Sequence, residues 1–392
     1  MTTTITRHKT DHEVYGIVFS EQAEFKDTYG GMSGLVFLES HRIVPRDVDS
    51  STVVVFMHPV GGGAFLPFVQ ALAQAGMHVI YCNSRYRGND SALIMEKVVV
   101  DLGEAIADAK RRFGYERVVL AGWSGGGSLS LFYQQQALRP TVTATPAGDQ
   151  PDLTALELQA ADAMLLVAAH PSRHRVLVDS LDPSIADEQH PDDRTVTLDL
   201  YDPDGPQPPY DRVFIERFRA AQRARNRRIT GWVKEQLAAL RAAGRPHDER
   251  GFVVRGTMAD PRWLDPTIDP NQRTPGVSFL GDPRVVNDGP IGLARFCSLR
   301  SWLSQWSIDD SHADGIVAAR DVGVPTLVVC NGADEICTPG YAREMLEAVG
   351  HDDRTFVQIE GANHYYLGRD QIEKVRESTA NCVGWLSDRG FV

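Results

Sequence analysis

The sequence has no apolar run approaching the ~18 residues that a bilayer-spanning helix requires, so no membrane span is expected. Its start, Met1-Thr2-Thr3-Thr4-Ile5-Thr6-Arg7-His8, lacks the apolar stretch of a secretion signal and reads as a short mobile tail. Positive charge is in deficit: 40 Lys and Arg stand against 52 Asp and Glu, a formal net charge of −12. That balance argues against nonspecific binding to nucleic acid or to an anionic membrane surface. Cysteine is scarce, odd in number and scattered, with five in 392 residues. Free thiols in a reducing compartment fit this pattern better than a disulfide framework, and a cytoplasmic protein is expected.

Several chemistries lack their signatures. There is no Gly-x-x-x-x-Gly-Lys-Ser/Thr phosphate loop, and neither Gly61–Gly63 nor Gly122–Gly127 spells Gly-x-Gly-x-x-Gly. No His-Glu-x-x-His and no Cys-x-x-Cys occurs, so no metal and no cofactor is expected.

What the chain does contain is Val118-Val119-Leu120-Ala121-Gly122-Trp123-Ser124-Gly125-Gly126-Gly127. An apolar β-branched run ends in Gly-x-Ser-x-Gly and opens into a helix-like segment, the form of a strained strand-to-helix turn that presents a serine hydroxyl. A serine is a poor nucleophile without a base, usually histidine, and a carboxylate that orients the base. Two downstream segments fit. Val324–Asn331 reads as a buried strand followed by a loop with Asp334, and Thr355–Ile359 as a strand followed by a loop with His364. The order Ser, Asp, His is the one this elbow type uses. Glu335 is the rival to Asp334 for the acid. A fourth segment, the buried-strand run Thr52–Met57, leads into His58-Pro59-Val60-Gly61-Gly62-Gly63. In an acyl-transfer site this turn offers one backbone N–H to a developing oxyanion, and Gly125 offers another.

These segments resemble the α/β-hydrolase family of serine esterases, lipases, lactonases and acyltransferases, over roughly residues 12–170 and 323–392. The resemblance implies Ser124 as nucleophile, Asp334 as orienting acid, His364 as base, and Val60 with Gly125 as the oxyanion donors. One departure stands out: the family usually carries His-Gly where this chain has His58-Pro59. Proline has no N–H, so Val60 takes the donor role, or Gly61 if the turn is shifted by one residue.

The rest of the chain is consistent with a mainly parallel α/β sheet with helices on both faces. Val14–Ser20 and Gly34–Glu39 read as an antiparallel edge pair, and Met77–Cys82 as a further strand. Ala64–Ala75, Glu96–Phe113 and Gly125–Ala137 read as helices, and Thr141–Asp152 as a loop. Residues 171–322 are far more than a crossover needs. They read as an inserted cap between a first core part, 1–170, and a second, 323–392. Within that insert Tyr210–Ala243 reads as a long helix or bent pair with the stripe Ile229, Val233, Leu237 and Leu240. Its six arginines, 217, 219, 223, 225, 227 and 228, read as a solvated face. The sharper alternative is that one of them steers an anionic substrate or pairs with a neighbouring subunit. Phe296, Leu299, Trp302, Leu303 and Trp306 read as cap core, or as an apolar pocket if they face the cleft.

Other residues near the motifs read as structural. His58 closes its turn by hydrogen bonds, and Trp123 packs around the elbow. Tyr365 and Tyr366 read as core, with pocket lining the alternative, and His170 reads as a loop histidine without a role, with a place at the border of the cleft the alternative. The expectation is a serine hydrolase that cleaves a small-molecule carboxylic ester, apolar or aromatic, with a lactone left open. An acyltransferase or a carbon–carbon bond hydrolase would use the same triad, and a non-catalytic ligand-binding protein is the alternative from another class. Substrate identity and oligomeric state, including a homo-oligomer, stay open.

Overall fold

The structure, a computed structural model, describes residues 6–21 and 34–392. The expected tail, Met1–His8, therefore lies mostly outside the described residues. β1 (Thr10–Ser20) and β2 (Leu35–Pro45) form the expected antiparallel edge pair. β3 (Thr52–Phe56), α1 (Pro67–Gln74), β4 (Val79–Cys82), α2 (Met95–Phe113), β5 (Arg117–Ser124), α3 (Gly125–Leu138) and β6 (Ala163–Ala169) then alternate. Next come α4 (Arg173–Ser180), α5 (Arg212–Ala242), β7 (Gly251–Val253), the one-turn helices α6 (Pro261–Leu264) and α7 (Pro283–Val286), β8 (Phe296–Ser298), α8 (Leu299–Gln305) and α9 (Gly315–Ala319). β9 (Thr326–Asn331), α10 (Pro339–Ala348), β10 (Arg354–Ile359) and α11 (Ile372–Ser387) follow.

Eight strands form one sheet in the order β1-β2-β4-β3-β5-β6-β9-β10. β2 runs antiparallel to both its neighbours, and from β4 onward every neighbour is parallel. The central strands are mainly apolar because both faces are covered. Along β3, Val53 and Val55 point into the layer that holds Val98, Leu102 and Ile106 of α2 and Leu129 and Phe132 of α3. Val54 and Phe56 point into the opposite layer, with Phe68 and Leu72 of α1 and Trp385 and Leu386 of α11. The strand period of two distributes one run of residues between two cores.

α1 begins three residues later than the periodicity predicts. Pro67 occupies the first helical turn, and Leu66 before it is extended (φ −57°, ψ 137°), as a residue preceding proline prefers. α2 ends where expected, on Gly114 in the left-handed region (φ 73°).

The stretch between β6 and β9 has a hydrophobic cluster of its own. Ile229, Val233, Leu237 and Leu240 of α5 meet Leu299, Trp302 and Leu303 of α8, with Trp306, Leu177 and Leu181. The two stripes legible in the sequence thus pack on each other, while Phe296 stands exposed. α5 is one unbroken helix of 31 residues, capped by the Asp211 side chain.

The arginine run corrects the reading of a uniformly solvated face. Arg217, Arg223, Arg227 and Arg228 are exposed. Arg225 is buried, donating to both Glu188 carboxylate oxygens and to the carbonyls of Asp182, Arg255 and Gly256. Arg219 reaches the Asp260 carboxylate and the Asp179 carbonyl. Both are internal ties of the stretch between β6 and β9.

All five cysteines are buried and unpaired. Among the described residues no helix is long and apolar enough to cross a membrane.

Candidate active site

The elbow at Ser124 is built by backbone geometry. Ser124 has φ 54° and ψ −124°, a conformation that costs a non-glycine residue about 1–3 kcal/mol and persists only where the surroundings impose it. The β5–β6 register shifts between Trp123 and Ser124, marking the point where the strand turns out of the ladder. The flanking glycines permit the turn sterically. A Cβ on Gly122 would meet the Gly126 carbonyl oxygen at 2.4 Å, and one on Gly126 would meet the Met57 carbonyl oxygen at 2.6 Å.

The other elements arrive at the same rim. Ser124 ends β5, Asp334 lies three residues past β9, His364 five past β10, and His58 two past β3. Parallel neighbours place these loops side by side beyond the carboxyl ends of the strands. The structure joins three of the expected residues into one chain of hydrogen bonds. His364 donates from Nδ1 to Oδ2 of Asp334 at 2.7 Å, and its Nε2 accepts from the Ser124 hydroxyl at 3.1 Å. The other carboxylate oxygen of Asp334 accepts the backbone N–H groups of Ile336 and Cys337, each at 2.8 Å. Asp334 is fully buried, as is nearly all of His364, and Ser124 is 8% exposed.

Glu335 is not part of that chain. Its carboxyl is pushed up by burial and by the neighbouring Asp334 charge, and its carbonyl accepts from the Trp263 indole at 2.7 Å. Asn271 donates to the Asp334 carbonyl at 2.8 Å. Two residues from the stretch between β6 and β9 therefore brace the loop that carries Asp334. On the base side, Asn331 donates to the Asn363 carbonyl and accepts from the Tyr366 hydroxyl, at 2.8 and 2.6 Å. Tyr366 is buried, as expected. Trp123 and Tyr365 flank the His364 ring, with centroids 4.7 and 4.8 Å away.

The expected oxyanion donors divide. Gly125 opens α3, so its N–H belongs to the first-turn groups that have no acceptor within the helix. Val60 is a correction: its N–H donates to Nδ1 of His58 at 3.2 Å. Gly61, the alternative, donates to the His58 carbonyl at 2.8 Å. Both amides close their own turn, which a proline at position 59 makes tight, and neither is left free for a ligand.

Two histidines converge on Gly125. A Cβ placed there would lie 3.0 Å from Nε2 of His58 and 3.4 Å from Nε2 of His170. Burial, then the nearby Arg173 and His364, pushes the His58 ring down to about 3. Burial and Arg173 likewise hold His170 well below the usual histidine range. Both rings are neutral near pH 7. The position of His170 directly after β6 is the signal in the sequence that this loop histidine borders the site.

Asp334, Cys337 and His364 bring ligating atoms within 4.8 Å of one another. The Asp334 and His364 atoms are already engaged in the hydrogen bonds above, and burial with the Asp334 charge holds the Cys337 thiol well above its usual range. This trio reads as part of the hydrogen-bonded chain. Two surface hollows, of about 390 and 620 Å³, are lined by Pro206–Arg217 and by Thr141–Pro146 with Asp309–His312. Neither is lined by Ser124 or His364.

No protein-family model matches the sequence, and no curated protein sequence matches it. Solved structures do resemble the chain over most of its length. A monoacylglycerol lipase from Paleococcus ferrophilus is 14% identical, with 89% of this chain and 99% of that one covered and a TM-score of 0.44. Brefeldin A esterase, described as a bacterial homologue of human hormone sensitive lipase, is 16% identical, with 98% and 78% covered and a TM-score of 0.47. An enol-lactonase from Burkholderia xenovorans LB400 is 14% identical, with 90% and 96% covered and a TM-score of 0.41. At such identities the likeness concerns architecture and carries no activity across. The eight-strand order, the single antiparallel excursion at β2 and the elbow at Ser124 give this chain the α/β-hydrolase fold.

Proposed function

We propose that this protein is a serine hydrolase that cleaves a carboxylic ester, with lactones among its candidate substrates, through an acyl-enzyme on Ser124. The observation that carries the reading is the hydrogen-bonded chain Asp334–His364–Ser124, at 2.7 and 3.1 Å. In this mechanism the Ser124 oxygen attacks the carbonyl carbon while Nε2 of His364 takes the hydroxyl proton. Asp334 holds the imidazole in the tautomer that leaves Nε2 free to accept, and stabilises the imidazolium. The Gly125 N–H supports the tetrahedral oxyanion. His364 then protonates the leaving alkoxide, and water, activated by the same nitrogen, releases the acid and restores the serine. No cofactor enters these steps.

Residues 171–322 act in this reading as a cap between core parts 1–170 and 323–392. Its support is the separate hydrophobic cluster of that stretch and the bracing of the acid loop by Trp263 and Asn271. Closure over a nearly buried Ser124 would exclude bulk water during turnover. The rings of Trp123 and Tyr365 beside His364 favour an apolar or aromatic substrate.

The test is a fluorophosphonate probe followed by intact-mass measurement, together with a hydrolysis screen of short, bulky aromatic and cyclic esters. One mole of probe per mole of chain, absent in Ser124→Ala, supports the assignment. No labelling and no turnover of any ester would defeat it.

A further inference from the structure

We propose that the imidazole of His58 supplies the second hydrogen bond to the oxyanion, through Nε2–H, in place of a backbone amide of its turn. The inference rests on the acyl-enzyme reading above and assigns a donor that the turn's main chain does not provide.

The amides of positions 59–62 are accounted for, and the backbone of Gly63 lies against the Tyr81 hydroxyl. Pro59 has none. Val60 donates to Nδ1 of His58, Gly61 to the His58 carbonyl, and Gly62 to Oδ1 of Asn83 at 2.7 Å. Asn83 is held in turn by its own amide, which donates to Glu39 at 3.0 Å. The bond from Val60 has a second consequence. A ring nitrogen that accepts carries no proton, so the single proton of a neutral imidazole sits on the other nitrogen, Nε2. Burial keeps this ring neutral near pH 7. Nε2 is therefore a fixed donor.

It also lies beside Gly125. Nε2 stands 3.0 Å from the point a Gly125 side chain would occupy, beside the residue whose N–H is the other donor. A donor fixed before the reaction stabilises developing charge without reorganising as the transition state forms. His170 approaches the same point but differs: its Nδ1 is buried without a partner, so no bond selects its tautomer. The placement of His58 also gives a reason for glycine at 125, since any side chain there would push against two imidazoles.

Two substitutions separate this role from turn closure. The Asn carbonyl oxygen overlays the position of Nδ1, and the Gln side-chain amide reaches that of Nε2. His58→Asn keeps the turn-closing acceptor and loses the distal donor, whereas His58→Gln does the reverse. The readouts are kcat and KM on an ester the wild type turns over, and the inhibition constant of an aryl trifluoromethyl ketone. That ketone adds to Ser124 as a tetrahedral oxyanion.

The expected result for His58→Asn is a fall in kcat of about 10²–10³-fold with little change in KM, and a matching loss of ketone affinity. His58→Gln should bind the ketone at least about tenfold more tightly than His58→Asn. In the wild type, the Nε2 proton of His58 should move downfield in the NMR spectrum when the ketone adds, a measurement that needs no variant. Equal losses in the two variants, a more active His58→Asn, or an unmoved proton signal would overturn the proposal. An inactive, unlabelled wild type would instead defeat the acyl-enzyme reading beneath it.

Discussion

The Trp123 indole donates from Nε1 to the carbonyl oxygen of His364 at 3.1 Å. The residue just before Ser124 thus anchors the loop of His364, 241 positions later in the chain. Strand β5 and the β10 loop are tied at the atoms that need mutual alignment.

Trp123→Phe keeps most of the ring contact with His364 and removes this one bond, worth about 1 kcal/mol. Turnover should fall by about tenfold at nearly constant KM, because small misplacements of a reacting group cost rate steeply. Steady-state kinetics on a responsive ester reads the split. An unchanged kcat would show that the anchor does not position the base.

Asp334→Asn keeps an acceptor for the Ile336 and Cys337 amides but removes the charge facing His364. A fall in kcat of about 10⁴-fold is expected, the loss that the wrong histidine tautomer causes in a serine protease triad. Glu335→Gln should change kcat by less than about threefold, since the ring nitrogens of His364 bond to Asp334 and Ser124 and not to Glu335. The reverse ranking would reassign the acid.

Ser124 pays for its position with backbone strain. Ser124→Ala and Ser124→Gly both remove the hydroxyl, and both should lose turnover. Only glycine relieves the positive φ, so Ser124→Gly should unfold at a denaturant concentration equal to or above that of Ser124→Ala, by up to about 1 kcal/mol. A markedly less stable glycine variant would mean that the elbow is not strained.

The neutral histidines predict a stability profile. The folded-state value of His58, about 3, lies below its ordinary 6.5. Between those values the unfolded chain takes up a proton that the folded chain does not. The contribution of this group is complete above about pH 6.5 and is lost as pH falls towards 3, by at most about 1.4 kcal/mol per pH unit. His170 acts in the same direction. Urea unfolding at steps from about pH 7 to 5 should show a shallower decline for His58→Gln than for the wild type. Parallel declines would contradict the assignment of a neutral ring.

Arg225 and Arg217 test the two kinds of arginine on α5. Arg225→Ala removes five hydrogen bonds, to Glu188 and three carbonyls, and should cost about 3 kcal/mol or more. Arg217→Ala removes an exposed side chain with one bond, to the Thr197 carbonyl, and should stay within about 0.5 kcal/mol. Equal effects in chemical denaturation would remove the distinction drawn between them.

Local pattern makes much of this molecule legible in the linear chain. Mainly apolar runs such as Thr52–Phe56 and Ala163–Ala169 are strands buried on both faces, because a pleated segment covered by two helical layers has no polar side to show. The elbow is legible for a similar reason: only glycine fits where an added Cβ would meet backbone oxygen at 2.4–2.6 Å. The order Ser124, Asp334, His364 follows from strand–loop boundaries. The late start of α1 is encoded in Pro67, against the apolar periodicity that extends the helix back to Ala64.

Tertiary structure alone decided which donors and charges are already taken. A sequence names every N–H in the turn after β3, but whether Val60 or Gly62 is free depends on a ring that folds back from His58 and on Asn83, 21 residues beyond Gly62. Likewise six arginines on one helix look alike in a row of letters, and only the packing of Glu188 and the carbonyls at 182, 255 and 256 makes Arg225 an internal tie. Periodicity reports which face a residue lies on; a hydrogen bond's partner is settled by three-dimensional proximity, which no local pattern encodes.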